Sequence, residues 1–134
     1  MAKLKVGIAG SSSMIKEREK RIARELGRVL GRSGHQIFFC FDKDSLPLLV
    51  CKEARKFTDE IICFTTNEEE AKLCKEFLTI VTGMSRMVRE YIFIKNIDLL
   101  LVLGGGSGTL MEVTFAYQMN KPIYLIEEVR SSVD

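Results

Sequence analysis

Short apolar runs alternate with helical patterns along the whole chain, and this alternation restricts the fold more than any other feature. Runs such as "KLKVGIAG", "HQIFFCFD" and "IDLLLVLG" have the length of a strand, and each is followed by a segment with apolar residues at helical spacing. Strands that alternate with helices are typical of a parallel sheet whose crossovers are the helices. We therefore predict a single α/β domain over residues 1–134, with helices on both faces of a parallel sheet.

The same pattern gives approximate bounds for the elements of this doubly wound, Rossmann-like sheet. Strands are predicted at residues 3–10, 35–42, 59–66, 79–83, 97–104 and 121–128. Helices are predicted at residues 15–34, 45–57, 84–96 and 107–120, with a short one inside 67–78. Ser45 is the predicted N-cap of its helix, and Pro47 fits the first turn, where a missing N–H does no harm. The run "IDLLLVLG" does not alternate, which predicts a strand buried on both faces.

Composition and charge exclude several classes of protein. Hydrophobic residues make up 46% of the chain and charged residues 28%, as in a globular domain. The net charge of +2 is too small to indicate a nucleic-acid partner. No apolar run is long enough to span a bilayer. The first residues have the pattern of a strand rather than that of a signal peptide. We expect a cytoplasmic protein that contacts neither nucleic acid nor membrane.

Cysteine and histidine usage argues against a metal site. None of the four cysteines forms a CxxC pair, so reduced core thiols are expected. His35 is the single histidine and lies in the helix-to-strand turn "RSGHQI". A histidine-based metal site or a Ser-His-Asp triad would depend entirely on that residue.

The clearest functional motif is "GGGSGT", residues 104–109, between the apolar strand and the last helix. Glycines let another group approach the backbone closely, and the N-terminus of the following helix attracts anions. Gly104, Gly105, Gly106, Ser107, Gly108 and Thr109 are therefore predicted to bind a phosphate. The alternative is a tight turn between strand and helix, which needs only one glycine, whereas four within five residues favour a ligand. No lysine follows the last glycine, and Met111 replaces the third glycine of GxGxxG, so neither nucleotide motif applies.

Two further segments are predicted at the same edge of the sheet, since parallel strands end there together. Gly10, Ser11 and Ser12 follow the first strand and offer N–H and hydroxyl donors, although a plain turn explains them equally well. Arg86 and Arg89 lie early in the helix before the glycine loop, where either could reach a bound anion or lie at the surface.

These residues resemble a known family. "GGGSGTLMEV" is similar to the GGxGTxxE signature of the LOG-type phosphoribohydrolases, formerly called lysine decarboxylase-like, and of the related molybdenum-cofactor-carrier-like proteins. "TIVTGMS", the apolar strand "IDLLLVLG" and the turn "KP" before the last strand resemble the carrier-like branch. "VGIAGSSS" fits the opening strand and loop of the family. The resemblance lies mostly between residues 79 and 126.

The resemblance implies roles for particular residues. Gly105, Gly106, Gly108 and Thr109 would contact a phosphate, while Arg89 and Glu112 would be the catalytic pair of a hydrolase that releases the base from a nucleoside 5′-monophosphate. A carboxylate can stabilise the positive charge that develops on the ribose, and Glu112 could orient the attacking water. An acidic residue one turn into a helix also favours the helix dipole without any function.

One segment departs from the family pattern. The family has a second glycine-rich stretch after its second strand, whereas this chain has no glycine between Gly34 and Gly83. Asp42 and Asp44 bring negative charge to that rim instead, which suits a second phosphate poorly. Asp42 also ends a strand where dinucleotide-binding folds hold a ribose, but no GxGxxG precedes it.

Three functions follow from these observations. The first is binding of a phosphate-bearing small ligand, a nucleotide or a molybdopterin-like cofactor. The second is nucleoside 5′-monophosphate hydrolysis, and the third is a regulatory or interaction domain with a vestigial site. The sequence does not identify a cofactor. The helical stripe of Met84, Met87, Tyr91 and Ile94 is apolar enough to cover both the sheet and a partner, so a homodimer or higher homo-oligomer is expected.

Overall fold

The structure is a computed structural model that describes residues 2–126 and Val129. Its strands are β1 (Lys5–Gly10), β2 (Gln36–Cys40), β3 (Ile61–Thr65), β4 (Leu78–Val81), β5 (Leu99–Leu103) and β6 (Ile123–Leu125). Its helices are α1 (Glu17–Gly31), α2 (Leu46–Ala54), α3 (Glu68–Ala71), α4 (Arg86–Lys95) and α5 (Ser107–Gln118). The described elements follow the predicted alternation of strand and helix.

The six strands form one parallel sheet in the order β4-β3-β2-β1-β5-β6. The chain proceeds outward from β1 to β4 on one side and then returns to place β5 and β6 on the other. The strand order therefore changes direction between β1 and β5, and Ala9 pairs with Val102 near the ends of these strands. The predicted Rossmann-like α/β fold is confirmed.

Helices cover both faces of the sheet, as predicted. One buried cluster joins α1 and α2 to the sheet face that carries Val6, Ile8, Ile37 and Phe39. The other joins α4 and α5 to the face that carries Phe38, Phe64, Leu100 and Val102. Burial of apolar side chains on both faces of the central strands stabilises this layered arrangement. The four cysteines are buried in these clusters and are free thiols, as expected.

Local signals in the sequence fix several helix starts. The Oγ of Ser45 accepts a hydrogen bond from the Leu48 backbone N–H at 3.2 Å, which confirms the predicted N-cap of α2. The Oγ of Ser85 caps α4 in the same way, through the Val88 backbone N–H. His35 lies in the turn before β2, where its Nδ1 accepts a hydrogen bond from the Leu4 backbone N–H at 3.0 Å.

Three predictions about elements need correction. The helix predicted inside residues 67–78 is one turn, Glu68–Ala71, because the Cys74 and Phe77 side chains turn inward and the chain leads directly into β4. Met84 precedes the cap of α4 and therefore does not belong to its helical stripe. The last predicted strand is shorter than expected, and its residues 127 and 128 lie outside the described part of the chain.

Candidate functional site

The loops after β1 and β5 lie side by side, because these strands are neighbours in the sheet and both end at the same edge. The Ser11 backbone N–H donates to the Leu103 carbonyl oxygen at 3.0 Å. The Thr109 hydroxyl donates to the Gly10 carbonyl oxygen at 3.2 Å, across 99 residues of chain. Ligands of open α/β sheets bind where the strand order reverses, so this junction is the candidate site.

The glycine loop needs its glycines for two different reasons. Gly104 and Gly105 have φ angles of +63° and +129°, in the region that favours glycine. A Cβ on Gly105 would also collide with the Thr109 side chain. A Cβ on Gly106, by contrast, would meet open space. The loop is therefore folded tightly at Gly105 and open at Gly106.

The start of α5 differs from the starts of the neighbouring helices. Helices α2 and α4 are capped by their own Ser45 and Ser85 side chains. The N-cap of α5 is Gly106, which has no side-chain oxygen to accept a hydrogen bond from the first turn. The positive end of this 12-residue helix therefore faces the loop without an acceptor from its own cap.

The two loops form the walls of a cleft of about 510 Å³. Most of the predicted ligand-binding residues contribute to its lining: Gly10, Ser11, Ser12, Gly105, Gly106, Ser107, Gly108 and Thr109. Glu112 lies on the same wall, whereas Gly104 is buried behind it. Tertiary structure thus gathers two segments that are separated by more than ninety residues in the sequence.

Acidic side chains also line the cleft. Glu19, Asp42 and Glu90 line it together with one cation, Arg86. The Arg86 Nη2 and the Asp42 Oδ1 lie 2.7 Å apart, so this arginine already has a carboxylate partner. The acidic rim that the sequence predicted at Asp42 is therefore present, but it is partly neutralised by Arg86.

Glu112 and Glu90 are poorly solvated carboxyls that share one wall of the cleft. Burial raises the pKa of Glu112 well above its ordinary value, and the nearby charge of Glu90 raises it further, while Arg89 opposes the shift. Burial also raises the pKa of Glu90. A Cβ on Gly108 would lie 3.3 Å from the Glu90 Oε1, so the Glu90 carboxyl lies against the first turn of α5. Each carboxyl therefore keeps its proton to a higher pH than an exposed glutamate does.

Sequence reasoning missed Glu90. Its position on α4 was the available signal, because it shares a helical face with Phe93 and Ile94, which are both buried. A glutamate at a core-facing position is unusual, and here its side chain lines the cleft.

Arg89 lies behind the cleft rather than on its wall. Its side chain is fully buried, and its Nη1 donates to the Phe41 carbonyl oxygen at 2.9 Å and lies 3.5 Å from the Glu70 Oε1. Its Nε and Nη2 have no hydrogen-bond partner among the described residues. Burial opposes the charge, but the acidic groups around the guanidinium raise its pKa, so it remains a cation. Of the two arginines that the sequence proposed for a ligand, Arg86 is the one on the cleft wall.

The segment that replaces the second glycine-rich stretch is built as a capped helix start. Asp44 adopts a left-handed conformation with a φ of +59°, and Ser45 then caps α2. The Leu46 backbone N–H donates to the Ser11 carbonyl oxygen at 2.8 Å. Since protein groups already occupy this helix terminus, it does not present an open anion site like the one at α5.

Within residues 2–126 and Val129, no group of three or more histidine, cysteine, aspartate or glutamate side chains is arranged to hold a metal ion. In the same part of the chain, no helix has both the length and the apolar character needed to cross a membrane.

The fold and site define a Rossmann-like α/β domain with a glycine-rich loop at the switch point of its sheet. The chain belongs to the SLOG cluster4 family (LDcluster4), which it matches over residues 3–134. The resemblance seen in the sequence, to LOG-type and molybdenum-cofactor-carrier-like proteins, is thereby confirmed at the level of the family. No curated protein matches the chain by sequence.

Solved structures share the fold. The chain is similar to the X-ray structure of TM1055, with a TM-score of 0.85 and 26% identity over 99% of this chain and 79% of that one. It is also similar to the molybdenum cofactor carrier protein of Chlamydomonas reinhardtii, with a TM-score of 0.80 and 23% identity over 92% and 76% of the two chains. DNA processing protein A of Helicobacter pylori, which binds single-stranded DNA, has a TM-score of 0.73 and 16% identity over 91% and 64%.

Proposed function

We propose that this protein binds a phosphate-bearing small ligand, either a nucleotide or a molybdopterin-like cofactor, in the cleft at residues 104–109. The observation that carries the proposal is the uncapped start of α5 at Gly106, which opens into a cleft. A phosphate accepts hydrogen bonds from the N–H groups of such a terminus and interacts favourably with the helix dipole. The carrier protein of Chlamydomonas reinhardtii, which has a similar fold, supports a cofactor-sized ligand.

The acidic side of the cleft restricts where the phosphate can lie. Glu90 and Glu112 would repel a phosphate if both were ionised, but burial raises the pKa of each carboxyl. A protonated carboxyl donates a hydrogen bond, and it can do so to a ligand hydroxyl or to a phosphate oxygen. Binding is therefore expected to weaken as the pH rises and both carboxyls become ionised.

Calorimetry with AMP, GMP and inorganic phosphate tests the proposal. The variant Ser107→Glu places a negative charge on the first turn of α5 and should abolish binding through repulsion. The matched control Gln118→Glu adds the same charge to the exposed last turn of that helix and should leave binding unchanged. If no probe binds at millimolar concentration, the alternative of an interaction domain with a vestigial site is the better account.

A second candidate function is hydrolysis of nucleoside 5′-monophosphates. The observation that favours it is the raised pKa of Glu112 on the cleft wall, since a neutral carboxyl can protonate a departing base and its carboxylate can stabilise the ribose cation. Arg89 is buried, so we expect it to act by holding Phe41 and the acidic wall in place.

Incubation with a panel of nucleoside 5′-monophosphates, followed by chromatography for free base, separates hydrolysis from binding. A hydrolase should release base from at least one of them and should lose that activity in Glu112→Gln. Binding of a nucleotide without any release of base would end the hydrolase proposal.

A further inference from the structure

A second cavity of about 400 Å³ lies beside the cleft, between α1 and α2. Ser12, Ser13 and Met14 line both spaces, so the loop after β1 is the wall between them. The cleft and the second cavity therefore lie on either side of this loop.

The second cavity has the opposite charge to the cleft. Lys20, Arg24 and Lys52 line it, and Asp44 is the single acidic residue in the lining. Arg24 and Lys52 form no ion pair within residues 2–126, although Arg24 interacts electrostatically with Glu53. Lys20 pairs with the exposed Glu17 at 3.3 Å. Three cations that converge on one cavity with so little neutralisation favour an anionic ligand group.

The floor of this cavity is apolar. Leu46 and Leu48 are buried beneath it, and the partly buried Ile15 and Leu49 complete the lining. A site with an apolar floor and a few cations at its rim suits a ligand in which an anionic group is attached to an apolar or aromatic ring or chain. A small inorganic anion would contact the cations but leave the apolar floor uncovered.

The backbone around the shared wall is unusual. Met14 has a φ of +54° and Asp44 a φ of +59°, and these two lining residues face the second cavity from different loops. A bulky side chain is rarely found in the left-handed region, and such conformations cluster at ligand sites. Met14 is also 96% exposed, at the boundary between the cavities, so no packing within residues 2–126 explains its conformation.

We propose that the ligand has two separate anionic groups, one on the glycine loop at Gly106 and the other in the Lys20, Arg24 and Lys52 cavity, with its body crossing the Ser12–Ser13 wall. This inference rests on the proposed function, and it adds the substrate class. A nucleotide with a second phosphate or carboxylate away from the first has the required chemistry.

The test compares 5′-AMP with adenosine 3′,5′-bisphosphate, which differ only in the second phosphate. Calorimetry at low salt should give a bisphosphate affinity about tenfold higher. The double variant Arg24→Gln, Lys52→Gln should bind both nucleotides with the affinity that the native protein has for AMP. The control Arg21→Gln, Lys75→Gln removes two exposed cations outside both cavities and should retain the tenfold difference.

Each result decides a different question. If AMP binds but the second phosphate adds no affinity, or if its effect survives in Arg24→Gln, Lys52→Gln, the two-anion ligand is wrong and the proposed function stands. If neither nucleotide nor inorganic phosphate binds, the proposed function fails and this inference fails with it. Circular dichroism and thermal unfolding of each variant check that the fold is retained.

Discussion

The guanidinium of Arg89 donates a hydrogen bond to the carbonyl oxygen of Phe41 at 2.9 Å, and no part of the Arg89 side chain is exposed. This bond joins α4 to the chain just after β2, directly behind the acidic side of the cleft. Glu70 also contacts Arg89, but its Oε1 already accepts bonds from the Thr66 N–H and hydroxyl. We therefore predict that Arg89 acts as a structural cation and that its replacement changes the wall of the site from behind.

Replacing Arg89 should reveal this structural role. Arg89→Ala leaves a cavity and an unsatisfied Phe41 carbonyl, so the free energy of unfolding should fall by about 3 kcal/mol. Arg89→Met fills much of the volume without a buried charge and should cost about 1–2 kcal/mol less than alanine. Urea unfolding measures the free energy of unfolding of both variants. The control Arg86→Ala removes an exposed arginine that pairs with the partly buried Asp42, and it should change stability by less than about 1 kcal/mol. Equal losses for Arg89→Ala and Arg86→Ala would contradict the assignment.

The two adjacent glycines Gly105 and Gly106 should respond differently to alanine. Gly105→Ala forces a positive φ and a collision with Thr109, so we expect a loss of about 1–3 kcal/mol and loss of nucleotide binding. Gly106→Ala adds a methyl group to open space and should keep the stability of the native protein within about 1 kcal/mol. Thermal unfolding compares the two variants. A similar loss in both would show that the loop is not folded as described.

Glu112 should make stability depend on pH. Its pKa is raised in the folded state, mainly by burial, so the folded protein binds more protons than the unfolded chain above the ordinary pKa of a glutamate. Stability is therefore expected to fall as the pH rises from about 4.5 through the folded-state pKa. Glu112→Gln should remove this loss and stabilise the protein at neutral pH. A tenfold difference in proton affinity between the two states is worth about 1.4 kcal/mol.

Urea unfolding between pH 4.5 and 8 measures the effect, and Glu25→Gln is the control because Glu25 is exposed on α1. If the stability of the native protein and that of Glu112→Gln change by the same amount over this pH range, the assignment to Glu112 is refuted. Glu90 contributes in the same direction, so some pH dependence should remain in the variant.

The expected homo-oligomer is tested at the outer surface of α4 and α5. Met87, Tyr91, Leu110 and Tyr117 are exposed there, and Tyr117 is 77% exposed. Ile94, which the sequence placed on the same stripe, is instead fully buried against the sheet. Light scattering should show a dimer or larger assembly, and Met87→Asp with Tyr117→Asp should give a monomer with the same circular dichroism spectrum. A monomeric native protein at micromolar concentration would refute the prediction.

The prediction that the protein does not bind nucleic acid also needs a direct measurement, because a protein with a similar fold binds single-stranded DNA. The cleft has four carboxyl side chains and one paired arginine, which suits a polyanion poorly. Fluorescence anisotropy with a labelled single-stranded oligonucleotide should show no binding at 0.15 M salt. Saturable binding that weakens with added salt would overturn this expectation.

Much of the architecture was predictable, because it depends on local patterns. The period of the apolar residues identified the strands and the longer helices, and Ser45 marked the start of α2. The bounds differ by a few residues at the ends, where helices fray and where strands lose their neighbours. The short helix α3 was harder, since four residues provide too little periodicity to measure.

The site was only partly predictable. The glycine loop is a contiguous motif, so its residues were found together, and the loop after β1 was found from its position in the fold. Glu90 and the difference between Arg86 and Arg89 were not found. Around α4, Glu90 points about 40° away from Arg86 but about 100° away from Arg89. Which of them meets the cleft depends on how α4 lies on the sheet.

The sequence by itself determined an α/β sheet, a glycine loop before its last helix and a missing second glycine stretch, because each of these is encoded in consecutive residues. Only the tertiary structure decided that the strand order reverses between β1 and β5, that Thr109 bonds to Gly10, and that the cations of α1 and α2 face a separate cavity. These features join residues far apart in the chain, and their positions follow from the packing of whole elements on the sheet.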